Sequence, residues 1–340
     1  MKRSVPDRSR PRSVVGSGGN PNRHEVRPES PNGLDALQTL PKMTGLTTTH
    51  ASTVTEDQID HLGHMNVRFY AVNARAGTNA LLTQLGWDDP ADADVFDMYT
   101  RHHREQLLGT ELEVRSGLLG ADADSIRIYH ELADASTGDL AATFVYRVRT
   151  TRGASIDRRD TVELPAHGTP RSVDLDATLS APPLATVQQL DLAVRTPRTL
   201  ERDDMGGGDT VASHMVPMLI WGGTPPDGAE HTLIHKGPTG ETVGWATMET
   251  RVGIVRLPEL GARIQSFGAT TAMADKTTQM SMWAYDLDTG DLLVSFEVIS
   301  VLFDVGARRA MSIPDDLRAE HAARLHPDLA ARSAVSDARP

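Results

Sequence analysis

Cysteine is missing from all 340 residues. That excludes disulfides, thiolate metal sites and a cysteine nucleophile, and it gives no support for an oxidising compartment. Long apolar runs are missing too. None approaches the ~18 residues needed to cross a bilayer, and no hydrophobic signal segment follows the basic start. A cytoplasmic protein without a membrane span is expected. Aromatics are scarce, at 4% against 39% hydrophobic residues. The core must therefore be built from Val, Leu, Ile, Ala and Met. Positive charge is in deficit: the net charge is −12 and the pI about 5.5. Nucleic acid is not the expected partner, because phosphate binding needs a basic face. Lysine occurs only at Lys2, Lys42, Lys236 and Lys276, so arginine carries nearly all the positive charge.

What is present falls into two similar halves. Residues 1–42 are rich in Arg, Pro, Ser, Gly and Asn, with almost no apolar periodicity. Such a segment cannot bury enough surface to offset its ordering entropy, so a disordered tail is expected; a targeting segment and a true start at Met43 are the alternatives. Residues 43–165 read as a strand over Thr44–Thr55, a helix over Met65–Leu85 closed by Gly86, and a meander of strands. The helix face expected to be apolar carries Met65, Phe69, Val72, Ala76 and Ala80. The strands are Val95–Gln106, Thr110–Leu119, Ser125–Ala133 and Leu140–Thr151. In the last two, Ile126, Ile128, His130 and Leu132 share one face, as do Ala142, Phe144, Tyr146 and Val148. Residues 166–187, rich in Pro, Ser, Thr and Ala, are expected to be a linker.

Residues 188–318 repeat the pattern. A strand over Gln189–Leu200 precedes a helix over Val211–Trp221, and strands follow at Thr242–Arg256, Arg263–Met273, Thr277–Leu287 and Leu292–Phe303. Leu108-Gly109 matches Leu260-Gly261, and Thr137-Gly138-Asp139-Leu140 matches Thr289-Gly290-Asp291-Leu292. Residues 319–340 form a charged C-terminal tail or helix.

The densest polar stretch is Asp60-His61-Leu62-Gly63-His64-Met65-Asn66, which runs directly into the apolar helix. Its residues have ordinary uses as well: Asp60 or Asn66 as a helix cap, His64 as a hydrogen-bonded structural histidine, Tyr70 as a packing residue. No spacing matches a zinc signature, no Gly-x-Ser-x-Gly elbow occurs, and Gly206-Gly207-Gly208 lacks the Lys-Ser/Thr of a phosphate loop. No metal and no cofactor are expected.

The run Asp60-x-x-Gly63-His64-Met65-Asn66-x-x-x-Tyr70 resembles the signature of the hot-dog thioesterases. These include the 4-hydroxybenzoyl-CoA thioesterase-like hydrolases and the two-repeat acyl-ACP thioesterases. The resemblance covers both halves. It implies an α+β double hot-dog, each unit an antiparallel sheet wrapped around a long central helix. It also implies hydrolysis of an acyl-CoA or acyl-carrier-protein thioester to free acid and thiol. Asp60 stands where the family's catalytic carboxylate stands, as general base or nucleophile. His64 and Asn66 match the family's His and Asn, whereas Val67 replaces its second Asn. The amides at the helix start, near Met65, suit a developing oxyanion. Tyr70, His103, Arg158 and Arg159 are candidates for substrate contact, the arginines toward the phosphates of coenzyme A.

In the second half, Asp203, Gly206, Gly207 and Asp209 align with Asp60, Gly63, His64 and Asn66, so the motif has decayed there. One competent site per chain is expected, with pairing of such chains into homodimers left open. A hot-dog enoyl-CoA hydratase is the rival enzyme, although its motif spacing is not met. A non-catalytic acyl-CoA-binding protein is the rival outside enzymes.

Overall fold

A computed structural model describes residues 45–330, apart from residues 61, 123, 151–160, 178, 191, 207, 222–233 and 238–239. The chain divides into Met1–Thr39 and Leu40–Pro340, and all described residues belong to the second unit.

Strand β1 (Thr47–Thr53) leads through a 3₁₀ turn into helix α1 (Val67–Gln84). Strands β2 (Val95–His102), β3 (Glu111–Ala121), β4 (Ser125–Asp134) and β5 (Leu140–Arg149) complete the first half. The second half contains α2 (Leu184–Val187), β6 (Ala193–Val194), β7 (Arg198–Thr199), α3 (Val216–Trp221) and β8 (Ile234–Lys236). It continues with β9 (Thr242–Ile254), β10 (Arg263–Met273), β11 (Thr277–Asp286), β12 (Leu292–Asp304), β13 (Arg309–Ala310) and α4 (Asp315–Ala323).

The strands form one sheet, in the order β1-β3-β4-β5-β2-β9-β12-β11-β10-β6, and every strand pairing is antiparallel. The order of the first half reappears reversed in the second. The halves join edge to edge where β2 pairs with β9, with Tyr99 opposite Arg251.

Helix α1 begins because Asn66 caps it: its side chain accepts a hydrogen bond from the Arg68 amide. It ends at Gly86, whose φ of 78° is the left-handed conformation common just past a helix. Its buried face is Tyr70, Ala74, Gly77, Leu81 and Leu82, with Asn73 and Thr78 beside them. The expected apolar face is therefore rotated: Val72 is exposed. Small residues set the rotation. A Cβ on Gly77 would meet Cγ1 of Val114 at 2.7 Å, so only glycine lets α1 sit this close to β3. His130, fully buried, locks the contact. Its Nε2 lies 3.0 Å from the Thr78 hydroxyl and its Nδ1 lies 2.6 Å from the Ser116 hydroxyl. Burial of Leu81 and Leu82 contributes about 2 kcal/mol each.

Period-two alternation separates the two faces of the sheet. Ile126, Ile128, Leu132, Phe144, Tyr146 and Val148 face the helices, in the same core cluster as Val252, Ile254, Phe296 and Val298 of the second half. The opposite face carries charge. Asp97 and Arg251, both buried, pair across the seam at 2.6 Å. The segment expected as a linker is packed over this face. Arg171 and Ser172 donate backbone amides to Glu249, Arg251 donates to the carbonyls of Asp174 and Ala177, and Val173 and Val187 are buried. These contacts satisfy buried charges that would otherwise be costly.

The second half departs from expectation in two places. The strand over Gln189–Leu200 is broken into β6 and β7 by Pro197, which cannot donate to a ladder. The helix over Val211–Trp221 is a 3₁₀ turn at Ser213–Met215 followed by α3. Pro217 is tolerated only in the first turn of an α-helix, which fixes where α3 can start. The Gly-Gly pair at 222–223, a stop signal in the sequence, lies outside the described residues.

Candidate active site

The turn before α1 is built by backbone hydrogen bonds. The Asp60 amide donates to the His64 carbonyl at 2.9 Å and the Gly63 amide to the Asp60 carbonyl at 3.0 Å. Gly63 has φ 83°, which a side chain would strain. Met65 is buried and its amide donates to the Gln106 carbonyl at 2.7 Å; the Asn66 amide donates to the Gln58 carbonyl at 2.9 Å. The turn is thus tied to the chain beyond β2 as well as to the 3₁₀ turn that follows β1.

This scaffold lines up three side chains. Oδ1 of Asp60 accepts the Leu62 amide at 2.8 Å, which fixes the carboxylate. Oδ2 lies 3.4 Å from Nδ1 of His64, and Nε2 of His64 lies 3.6 Å from Oε1 of Glu105. Both spacings exceed a hydrogen bond, so these are close polar contacts rather than locked bonds. Asp60 and His64 are mostly buried, with side chains 15% and 16% exposed. Glu105 also pairs with Arg308, which arrives from the turn between β12 and β13. The second half thereby reaches the first half's motif. Glu105 carries no sequence signal for this role; it lies in the irregular chain after β2, where no periodicity marks a direction.

Other expected residues fall differently. Asn66 is the helix cap, its Oδ1 accepting from Arg68 at 3.1 Å. The Met65 amide is already engaged, so it is not free for an oxyanion; this corrects the expectation. The Arg68 amide is held by Asn66, which leaves Val67, at the first helical position, as the amide without an intrahelical acceptor. Tyr70 is buried, packs edge-on against His102 at 5.0 Å, and donates its hydroxyl to the Arg104 carbonyl at 3.1 Å. Burial pushes its pKa up. Tyr70 therefore braces the chain leading to Glu105 instead of facing substrate.

His103 points to the sheet's charged side, with Nε2 3.2 Å from the Thr143 hydroxyl. Its neighbour His102 is the residue that lines the interior, because adjacent strand residues alternate faces. Burial lowers both imidazoles to about 4; like charge from His103 adds to this at His102, and from Arg101 at His103. Arg158, Arg159 and His61 lie outside the described residues.

A cavity of about 70 Å³ opens across the seam; Asp60, His64 and Glu105 do not line it, and its wall begins at Val67, the first residue of α1. Val67, Arg68 and Ala71 of α1 line one side, and His214, Pro217 and Met218 line the other. Among the described residues no group of three His, Asp or Glu side chains could hold a metal.

Backbone bonding gives the true register between the halves. Asn66 and Ala212 are the two caps, with φ/ψ of −60°/139° and −62°/135°. The Phe69 amide donates to Asn66 as that of Met215 does to Ala212, and the Met65 amide donates to Gln106 as that of Val211 does to Pro258. This register places Gly206 at Asp60, Thr210 at His64 and Ala212 at Asn66. The alignment of Asp203 with Asp60 is therefore corrected: Asp203 falls at Asp57. The motif is more completely lost in the second half than the sequence suggests, and Arg68 and His214 are counterparts.

Comparison with known proteins agrees with this architecture. Residues 54–169 match the thioesterase-like superfamily, and residues 239–321 match the acyl-ACP thioesterase N-terminal domain. Betainyl-CoA thioesterase of Pseudomonas aeruginosa is 29% identical over 106 residues, covering 29% of this chain and 67% of the relative. Among solved structures, the 12:0-ACP thioesterase of Umbellularia californica superposes with a TM-score of 0.54 at 10% identity, over 76% of this chain and 94% of that one. An acyl-ACP thioesterase from Bacteroides thetaiotaomicron gives 0.53 at 8% identity, over 75% and 97%. The fold is that of the hot-dog thioesterases, a large antiparallel sheet with few helices. Each half thus matches a thioesterase family model, and these matches support thioester hydrolysis as the reaction.

Proposed function

We propose that this chain is a double hot-dog thioesterase that hydrolyses an acyl thioester of coenzyme A or acyl-carrier protein at one site per chain. The units are residues 43–165 and 188–318. The carrying observation is the row Asp60–His64–Glu105 before α1, the helix whose first residues Val67 and Arg68 line the cavity across the seam.

Asp60 attacks the thioester carbonyl or deprotonates the water that does. Its fixed Oδ1 leaves Oδ2 toward His64, and His64 is held between two carboxylates, which favours it as the partner that steers a proton. The Val67 amide at the start of α1 is placed to stabilise the oxyanion, helped by the positive end of the helix. A thiolate leaves readily, so the site needs no strong general acid. Asn66 positions the helix start and Tyr70 the Glu105 segment. Because the two halves supply the seam within one chain, no second copy is required to complete the site. The cytoplasmic location expected from the cysteine-free composition belongs to the same reading.

The test is thiol release from purified protein over a panel of acyl-CoA and acyl-carrier-protein thioesters. Release from at least one class is expected. Hydration of an enoyl-CoA without thiol release would replace this function with that of a hydratase, and binding with neither reaction would make the chain a carrier.

A further inference from the structure

The cavity's wall holds more polar groups than an aliphatic chain requires. His102 and His214 both line it, one from each half. In each, Nδ1 is sealed from solvent and from the cavity alike and meets no partner, which leaves Nε2 as the ring nitrogen that can reach a ligand there. Burial lowers the pKa of both imidazoles, His102 to about 4. Each is therefore neutral near pH 7, with one N–H to donate. Thr100 and Thr250 add hydroxyls to the same lining.

Charge on this wall has one sign. None of the lining side chains is acidic, and the guanidinium of Arg68 lies 4.5 Å above the Phe69 ring at its edge. Among the described residues no carboxylate pairs with it. Tyr146 and Phe296 offer aromatic surface to a cation, but Arg68 sets a like charge beside them. Size is also restrictive: about 70 Å³ accommodates about five water positions. That is room for a short acyl group within its walls.

We propose that this cavity is an acyl subsite for short acyl groups bearing a hydrogen-bond-accepting oxygen beyond the thioester, with His102 and His214 as its donors. The assignment rests on the thioesterase reading. Substrates with a hydroxyl, keto or carboxylate oxygen fit it. Unsubstituted chains leave the donors unpaired, and a quaternary ammonium meets Arg68 without a counter-charge.

The experiment compares kcat/KM, by thiol release, for 3-hydroxybutyryl-CoA, butyryl-CoA, succinyl-CoA, betainyl-CoA and lauroyl-CoA. The first is expected to exceed butyryl-CoA by at least about tenfold, since a site built to bond a substrate oxygen discriminates against its absence. Succinyl-CoA is expected above butyryl-CoA, and betainyl-CoA and lauroyl-CoA below it. His102→Leu and His214→Leu are each expected to bring the hydroxybutyryl-to-butyryl ratio toward one. Equal loss on both substrates would show a purely structural role and overturn the proposal, as would preference for betainyl or lauroyl thioesters. If Arg68 instead holds coenzyme A phosphate, Arg68→Gln lowers all thioesters by one factor; a selective loss of succinyl-CoA supports the subsite.

Calorimetric binding to Asp60→Asn separates this proposal from the parent reading. Tighter binding of 3-hydroxybutyryl-CoA than of butyryl-CoA upholds the subsite even if no thioester turns over. Equal binding removes it while leaving hydrolysis intact.

Discussion

The connection from β1 to α1 and its counterpart from β7 to α3 share a backbone path and differ in every polar group that chemistry would use. Both begin with a capping-box 3₁₀ turn, Thr55–Gln58 and Glu201–Asp204. Both are pinned by an amide crossing to the chain after the seam strand, and both end in a cap of nearly the same dihedrals. Yet Asp60, His64 and Asn66 face Gly206, Thr210 and Ala212. Asn66 serves folding as the cap of α1, but the path of the turn is made by backbone bonds in both halves, so Asp60 and His64 are better explained by the proposed reaction than by folding.

That contrast can be broken or sharpened by experiment. Asp60→Asn is expected to lower kcat by at least about 10³-fold with the fold retained by circular dichroism, as for loss of a principal catalytic group; near-normal turnover would end the one-site account. Glu105→Gln should lower kcat by about tenfold at unchanged KM, because Glu105 borders His64 and not the acyl cavity; a rise in KM alone would reassign it to binding.

Acidification tests three histidines of the first half, the buried His130 and the partly buried His102 and His103. Burial holds His130 at about 3 and His102 and His103 at about 4, below the ordinary 6.5. The unfolded chain then binds protons first. Stability is full above pH ~6.5 and is lost as the pH falls toward ~3. Urea midpoints measured across that window should drop, and a flat profile would contradict the burial of these rings.

The caps can be exchanged. Asn66→Ala should cost about 1 kcal/mol in chemical denaturation, and Ala212→Asn should gain at most about 0.5 kcal/mol because it heads a shorter, partly 3₁₀ segment. Asp203→Asn should change turnover by less than about twofold; a collapse with folding intact would restore a second site.

Much of the fold was readable in the sequence, since period two and period 3.6 are enforced by burial. The inward faces of β4 and β5 stand as expected from Ile126, Ile128, Leu132, Phe144 and Tyr146. The motif at Asp60–Asn66 was readable through its density of polar groups. What was not readable depends on distances between segments far apart in the chain. The burial of Gly77 rather than Val72 follows from how closely β3 approaches. Engagement of the Met65 amide requires Gln106, forty-one positions on by numbering. Glu105 and Arg308 meet only once the two halves of the sheet join, and His102 was passed over for His103 because strand facing flips with each residue. The register of the second motif failed for a local reason: Gly206-Gly207-Gly208 offers several alignments, and only hydrogen bonds choose among them.

The antiparallel ladder between β2 and β9 has a further consequence, for mass action. Two separate units meeting along such an edge would form their shared cavity only to the extent that concentration allowed. Joined in one polypeptide, the edges find each other at a fixed effective concentration, and the buried pair Asp97–Arg251 is made without a bimolecular step. Specific activity per chain should thus be independent of dilution. The same joining removes any need for the halves to be identical, which a symmetric pair of copies must be. One half was free to hold the carboxylate, while the other contributed a wall and a histidine to the space between them.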